Sequence, residues 1–283
     1  MTLPATVPEP TLFRLPSQRI PVLRRIYGLA LRHLYLYRGS WPRLVEMIYW
    51  PILNLTLFGF ISLSIVHRFG HADVMVDAFL GGLMLAEILT RAVMGMLVMY
   101  MEEVWSRNLG HLFASPLRLR DYVAGLIGLC TTRCLLSVIP AFIAVYFLFD
   151  FSILRLGWNL PLYAALLCFN GWWYGLLIVS LLMRFGLGAE WLGWMSTWLL
   201  MPFMAPYYPV AILPHAFQIV SWTLPGTYIF ESMKIQLATG AARFDYLGVA
   251  LILNLFYFAG SVFIFTHAYR SARNSGGLLQ MGE

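Results

Sequence analysis

Charge is the scarcest commodity in this chain of 283 residues: Asp, Glu, Lys and Arg together make up 11% of it, against about 25% in an ordinary soluble domain. Lysine occurs once, as Lys234 between Met233 and Ile235. A P-loop needs Gly-Lys-Ser/Thr to bring an ammonium to the phosphates, so ATP cannot be bound here by that motif, and no cofactor is assigned to the chain. Cysteine is nearly as rare. Cys130, Cys134 and Cys168 all fall in apolar segments, without a CxxC pair or a histidine at ligand spacing, which argues for buried thiols and against disulfides or metal ligation. His71, Asp73 and Asp77 alternate in a short exposed loop, a poor set for a metal. No DDxxD, HxxxD or HExxH run occurs, so no catalytic residue is assigned and the chain is not expected to be an enzyme.

What fills the sequence is oil. Hydrophobic residues reach 60% and the mean hydropathy is +0.73, the composition of an integral membrane protein. The formal net charge of +6 does not indicate nucleic acid, because the basic residues flank apolar segments and form no Lys/Arg-rich soluble face. Residues 1–21 carry Pro4, Pro8, Pro10, Pro16 and Pro21 and read as a disordered tail with no signal-peptide core. In 22–43, Leu23, Ile26, Tyr27, Ala30 and Leu34 share one helical face and Arg25, Arg32 and Arg43 the other. That is the layout of an amphipathic helix lying in the membrane interface.

A six-span, all-α permease domain is expected over 44–270, with a tail at 271–283. Its transmembrane helices are placed at Leu44–Val66, Val76–Tyr100, Tyr122–Phe149, Leu160–Met183, Trp191–Val210 and Tyr246–His267, each about the 20 residues a bilayer needs. Thirteen basic residues fall in the termini and in the loops after spans two and four, and only Arg68, Arg155, Lys234 and Arg243 on the other side. The positive-inside rule then puts both termini in the cytoplasm.

Two stretches break the apolar pattern. In 101–121, Trp105, Leu109, Leu112 and Phe113 fall on one helical face and Ser106, Arg107, Asn108 and His111 on the other, giving a short cytoplasmic helix that Ser115-Pro116 ends. It reads either as a helix resting on headgroups or as a docking element for a soluble partner. In 211–229, Pro214 and Pro225 follow Pro202, Pro206 and Pro209, so a continuous lipid-facing helix is unfavourable. A re-entrant pair of half-helices in the outer leaflet is expected, with a kinked seventh span as the alternative.

Charges within spans cost about 2.5–3.5 kcal/mol each at the bilayer centre on insertion scales. Glu87 and Arg91, four apart, pair on one face, either as a structural ion pair or as a polar lining of a pathway. Arg133 either snorkels or answers Glu87 or Glu46. Glu231 and Lys234 read as an exposed pair or cap, and Trp191, Trp194 and Trp198 as a packing seam or, less simply, a stacking track for a glycan.

The order of these features resembles the type-2 class of ABC exporter permeases. Glu102-Glu103, Arg107, Gly110, His111, Leu112, Ser115-Pro116 and Tyr122 to Gly125 are similar to the family's "E…R…G-x-L…SP…Y…G" coupling segment. Leu224-Pro225-Gly226-Thr227-Tyr228 with Glu231 is similar to its "NPLTY…E" signature, with Leu-Pro-Gly-Thr in place of Asn-Pro-Leu-Thr. The resemblance implies a bacterial inner-membrane exporter subunit, paired with a second permease copy as a homodimer or heterodimer and driven by ATP on separate ABC ATP-binding subunits. Coupling would run through 102–113, with Trp105, Leu109, Leu112 and Phe113 in a groove of the ATPase and Glu102, Glu103 and Arg107 at its rim. Lipid-linked glycans, drugs and other lipid-like amphipaths are all suitable cargo. A membrane scaffold, a secondary transporter and a membrane-embedded transferase are the alternatives.

Overall fold

The computed structural model describes residues 27, 28, 31, 32, 35, 40–69, 73–107, 119–149 and 153–274. The expected tail, most of the interfacial helix and residues 108–118 lie outside them. All regular structure among the described residues is helical. Five helices are long and apolar enough to cross a membrane, making this a multi-pass membrane protein. They are α1 (Trp41–Phe69), α2 (Asp73–Trp105), α3 (Leu119–Phe149), α4 (Leu160–Phe185, led by a 3-10 turn at Ile153–Asn159) and, after the shorter pieces described below, a last helix at Phe244–Asn274. A helix satisfies its backbone internally, the only solution for a single segment in hydrocarbon.

Helices α2 and α4 form the centre, with 83% and 78% of their apolar windows buried, against 17%, 28% and 22% for α1, α3 and the last helix. Lipid and side chain are equally oily, so close packing replaces the hydrophobic drive between helices. The sequence supplies it through Gly171-x-x-x-Gly175 on α4. A Cβ at Gly171 would lie 2.3 Å from the Ala92 Cβ, and one at Gly175 2.5 Å from the Met96 Cβ. On the far side of α2, the Cys130 thiol donates to the Ala92 carbonyl at 3.0 Å and that of Cys134 to the Ile88 carbonyl at 3.5 Å. All three cysteines are buried and unbridged.

Trp191–Val210 is not one continuous helix. It divides into α5 (Glu190–Leu199) and α6 (Met201–Met204), then Ala205 turns left-handed at φ 49°. A 3-10 turn at Val210–Ile212, α7 (His215–Ser221) and α8 (Pro225–Thr239) follow, before α9 (Phe244–Asn274). Pro202, Pro206 and Pro209 remove backbone donors here, so the proline break begins inside the expected fifth span and not only after it. The other five expected spans match α1, α2, α3, α4 and α9 to within seven residues at each end.

α8 is bound to the start of α4: Gln236 accepts from Tyr163 Oη at 2.9 Å and from Asn159 Nδ2 at 3.2 Å, and donates to the Leu156 carbonyl at 2.9 Å. α9 lies parallel to α4. Trp173 Nε1 donates to Asn254 Oδ1 at 2.8 Å, Asn254 Nδ2 donates to the Leu166 carbonyl at 3.2 Å, and Trp173 stacks on Tyr257 at 4.7 Å. These buried polar contacts fix the register of two otherwise oily helices.

Candidate functional site

Most intramembrane charge converges on one cavity. It measures about 190 Å³ and lies among α1, α2, α3 and α5. α2 contributes Arg91, Gly95, Val98, Glu102 and Trp105, a set spaced about one turn apart so that they share a face. The wall therefore extends from Arg91 to Trp105, roughly 21 Å at 1.5 Å per residue. α1 adds Arg43, Glu46 and Trp50, α3 adds Arg133, Cys134 and Ser137, and α5 adds Trp194. Three arginines face two glutamates, so the lining carries a net positive charge.

The charges are held by one another. Arg91 Nε lies 2.6 Å from Glu87 Oε1, the expected i,i+4 pair, with Glu87 buried. Glu102, whose side chain is 7% exposed, has Arg133 at 3.7 Å and Arg43 at 3.9 Å. Thus Arg133 answers Glu102, and neither Glu87 nor Glu46 is its nearest partner. Glu103 is buried and receives a 2.6 Å hydrogen bond from Arg32, so Arg32 reaches toward the helix bundle. Ser137 Oγ donates to the Met47 carbonyl at 2.5 Å and ties α3 to α1. Breaking a buried pair by removing one partner costs about 3–5 kcal/mol, because the other charge stays buried.

Glu102 and Glu103 form part of the last turn of α2 and face inward; they do not open a separate helix or present a rim to solvent. Trp105 is 53% exposed at the mouth of the cavity. Arg107 is exposed and left-handed, φ 54°, and its N–H bonds the Val104 carbonyl at 2.9 Å, so the chain leaves the axis of α2 there. Leu109, Gly110, His111, Leu112, Phe113, Ser115 and Pro116 lie outside the described residues.

The outer-segment residues form a second cluster that does not line the cavity. Pro225 and Gly226 are buried in the first turn of α8, and Tyr228 donates to the Trp222 carbonyl at 2.9 Å. Glu231 pairs with Lys234 at 2.9 Å, and both are mostly buried. The pair caps the broken segment: Lys234 Nζ donates to the carbonyls of Ala205 at 2.7 Å and Tyr208 at 2.5 Å, while Glu231 accepts from the Val210 N–H at 3.0 Å. Burial pulls the Lys234 ammonium below its usual pKa, and Glu231 opposes that shift.

Sequence reasoning missed Arg43, Glu46, Trp50, Ser137 and Trp194 as cavity residues. The usable signal was spacing: Arg43, Glu46 and Trp50, like Arg91, Gly95, Val98, Glu102 and Trp105, fall on one face of their helices. The chain matches no protein-family model and no curated protein. The arrangement can receive and orient a polar or charged group inside the helix bundle, with guanidinium donors suited to carboxylate or phosphate oxygens.

Proposed function

We propose that this chain is the permease subunit of an ATP-driven ABC exporter in a bacterial inner membrane, with both termini cytoplasmic, working as a homodimer or heterodimer. One observation carries the reading: a cavity walled by arginine, glutamate and tryptophan inside a bundle of membrane-length helices, where lone charges are expensive and mark pathways. It suits an amphipath with a polar head, such as a lipid-linked glycan, a drug or another lipid-like molecule. The broken segment 190–221 completes the sixth crossing or a re-entrant turn, and α8 closes the outer side. Energy enters from a separate ABC ATP-binding subunit, because the sequence has no P-loop. The 102–113 stretch receives it: Trp105 is exposed at the end of α2, and the buried Glu102 and Glu103 anchor that end to α1, α3 and Arg32.

Purification of the tagged chain from native membranes in mild detergent tests this. A co-purifying P-loop ATPase whose hydrolysis rises with added amphipaths is expected. Full export in vesicles holding no nucleotide-hydrolysing companion, or surface labelling of residues 101–121 from outside the cell, would overturn it.

A further inference from the structure

A second cavity, of about 640 Å³, lies on the flank of the bundle between α4 and α9, within the roughly 300–1,000 Å³ of small-molecule sites. Its walls are hydrocarbon, from Leu177, Leu181 and Phe185 on α4 and Phe263 and Ile264 on α9. Phe263 is 74% exposed and Phe185 61%, so the groove opens away from the protein core. One end is polar: Arg184, His267 and Ser271 close it. Arg270 lies one turn of α9 beyond His267 and is exposed. This polarity follows from topology. α4 and α9 run parallel, so their basic ends meet at the same depth. No carboxylate lies within ion-pair distance of Arg184 or His267 among the described residues, and the Arg184 guanidinium rests 5.9 Å over the Phe185 ring.

We infer that this groove is a binding site for an anionic phospholipid, with its phosphate on Arg184 and His267 and an acyl chain along Phe263, Ile264 and Leu181. Basic pockets between transmembrane helices at one membrane face are suited to acidic headgroups, and an acyl chain extends the contact along the apolar walls, which a free anion cannot do. A second copy fits less well. A two-fold axis along the membrane normal brings equal depths together, so Arg184 and His267 would meet their own copies.

The test uses the full chain in uncharged detergent micelles, with phosphatidylglycerol, phosphatidylcholine or inorganic phosphate added. Native mass spectrometry counts retained lipid and tryptophan fluorescence follows melting. Phosphatidylglycerol is expected to be retained and to raise the melting temperature, with phosphatidylcholine at least about ten-fold weaker, the scale of one charge-assisted hydrogen bond. R184Q/H267Q, both at exposed side chains, should erase that preference, and R155Q, at an exposed arginine outside the groove, should keep it. Equal retention of both lipids overturns the inference, as does equal protection by inorganic phosphate. An unchanged preference in R184Q/H267Q, or a loss of self-association in that variant without a lipid effect, also overturns it.

Discussion

Lys234→Met separates a structural staple from a surface ornament. The Lys234 side chain is 12% exposed, and its ammonium donates to two backbone carbonyls and to Glu231. Methionine keeps the length and apolar stem but leaves the Ala205 and Tyr208 carbonyls without that donor and Glu231 with the Val210 N–H alone. Losing one partner of a buried, hydrogen-bonded pair costs about 3–5 kcal/mol. Large domains lose about 2 °C of melting temperature per kcal/mol, so melting in detergent should fall by about 6–10 °C. E231L/K234M should recover much of this, since removing both charges together spares the orphan. The pH dependence has a definite sign. Burial holds the Lys234 pKa below its usual 10.5, so the native state binds that proton less tightly than the unfolded chain. Stability from this site therefore rises with pH up to about 10.5. Wild type should gain on K234M as the pH rises toward about 10.5. A melting change under about 2 °C in K234M, the equivalent of about 1 kcal/mol, or a wild type that loses ground over that pH range, would refute the argument.

Gly171→Leu drives a side chain into Ala92 and should cost about 1–3 kcal/mol. Gly128→Leu, where nothing lies within 4 Å of an added Cβ, should leave the melting temperature unchanged. Arg133→Gln leaves Glu102 with Arg43 at 3.9 Å as its remaining named cation and should cost about 3 kcal/mol by thermal melting; R133Q/E102Q should be milder than R133Q alone. Trp105→Asp or Gly110→Pro should leave membrane insertion intact, measured by membrane yield, while ATP-driven export falls. A buried aromatic anchor is worth 2 kcal/mol or more, about 30-fold, and normal export by the well-expressed double variant would remove 102–113 from the coupling role.

The long helices were legible because a bilayer demands runs of about 20 apolar residues. Trp191–Val210 passed the same test, yet its helix is broken. Hydropathy does not register the left-handed turn at Ala205, and the prolines before Val210 were weighed only for the segment that follows. Glu102 and Glu103 were misplaced for a related reason: they adjoin a polar stretch, so they looked like its surface. Their partners come from far away, Arg32 being 71 residues distant from Glu103, and no local pattern announces that pairing. Glu87 and Arg91 were legible because four residues along a helix is itself a contact.

The placement of the charges also says where the bundle is stiff. The last turn of α2 is tied to Arg32, Arg43 on α1 and Arg133 on α3, and the same face of α2 walls the cavity as far as Arg91. A helix is stiff along its axis, and α2 is buried against α4 through Gly171 and Gly175, so a displacement at Trp105 cannot be absorbed by bending near the end. It would shift α2 against α1 and α3 and change the distances from Glu102 to Arg43 and Arg133 at the cavity wall. Coupling between distant sites requires such an element with alternative arrangements that both sites bias. If the 102–113 stretch receives force as proposed, the carboxylates at the end of α2 would act as buried anchors and not as rim contacts, since only a buried pair makes a small displacement cost several kcal/mol.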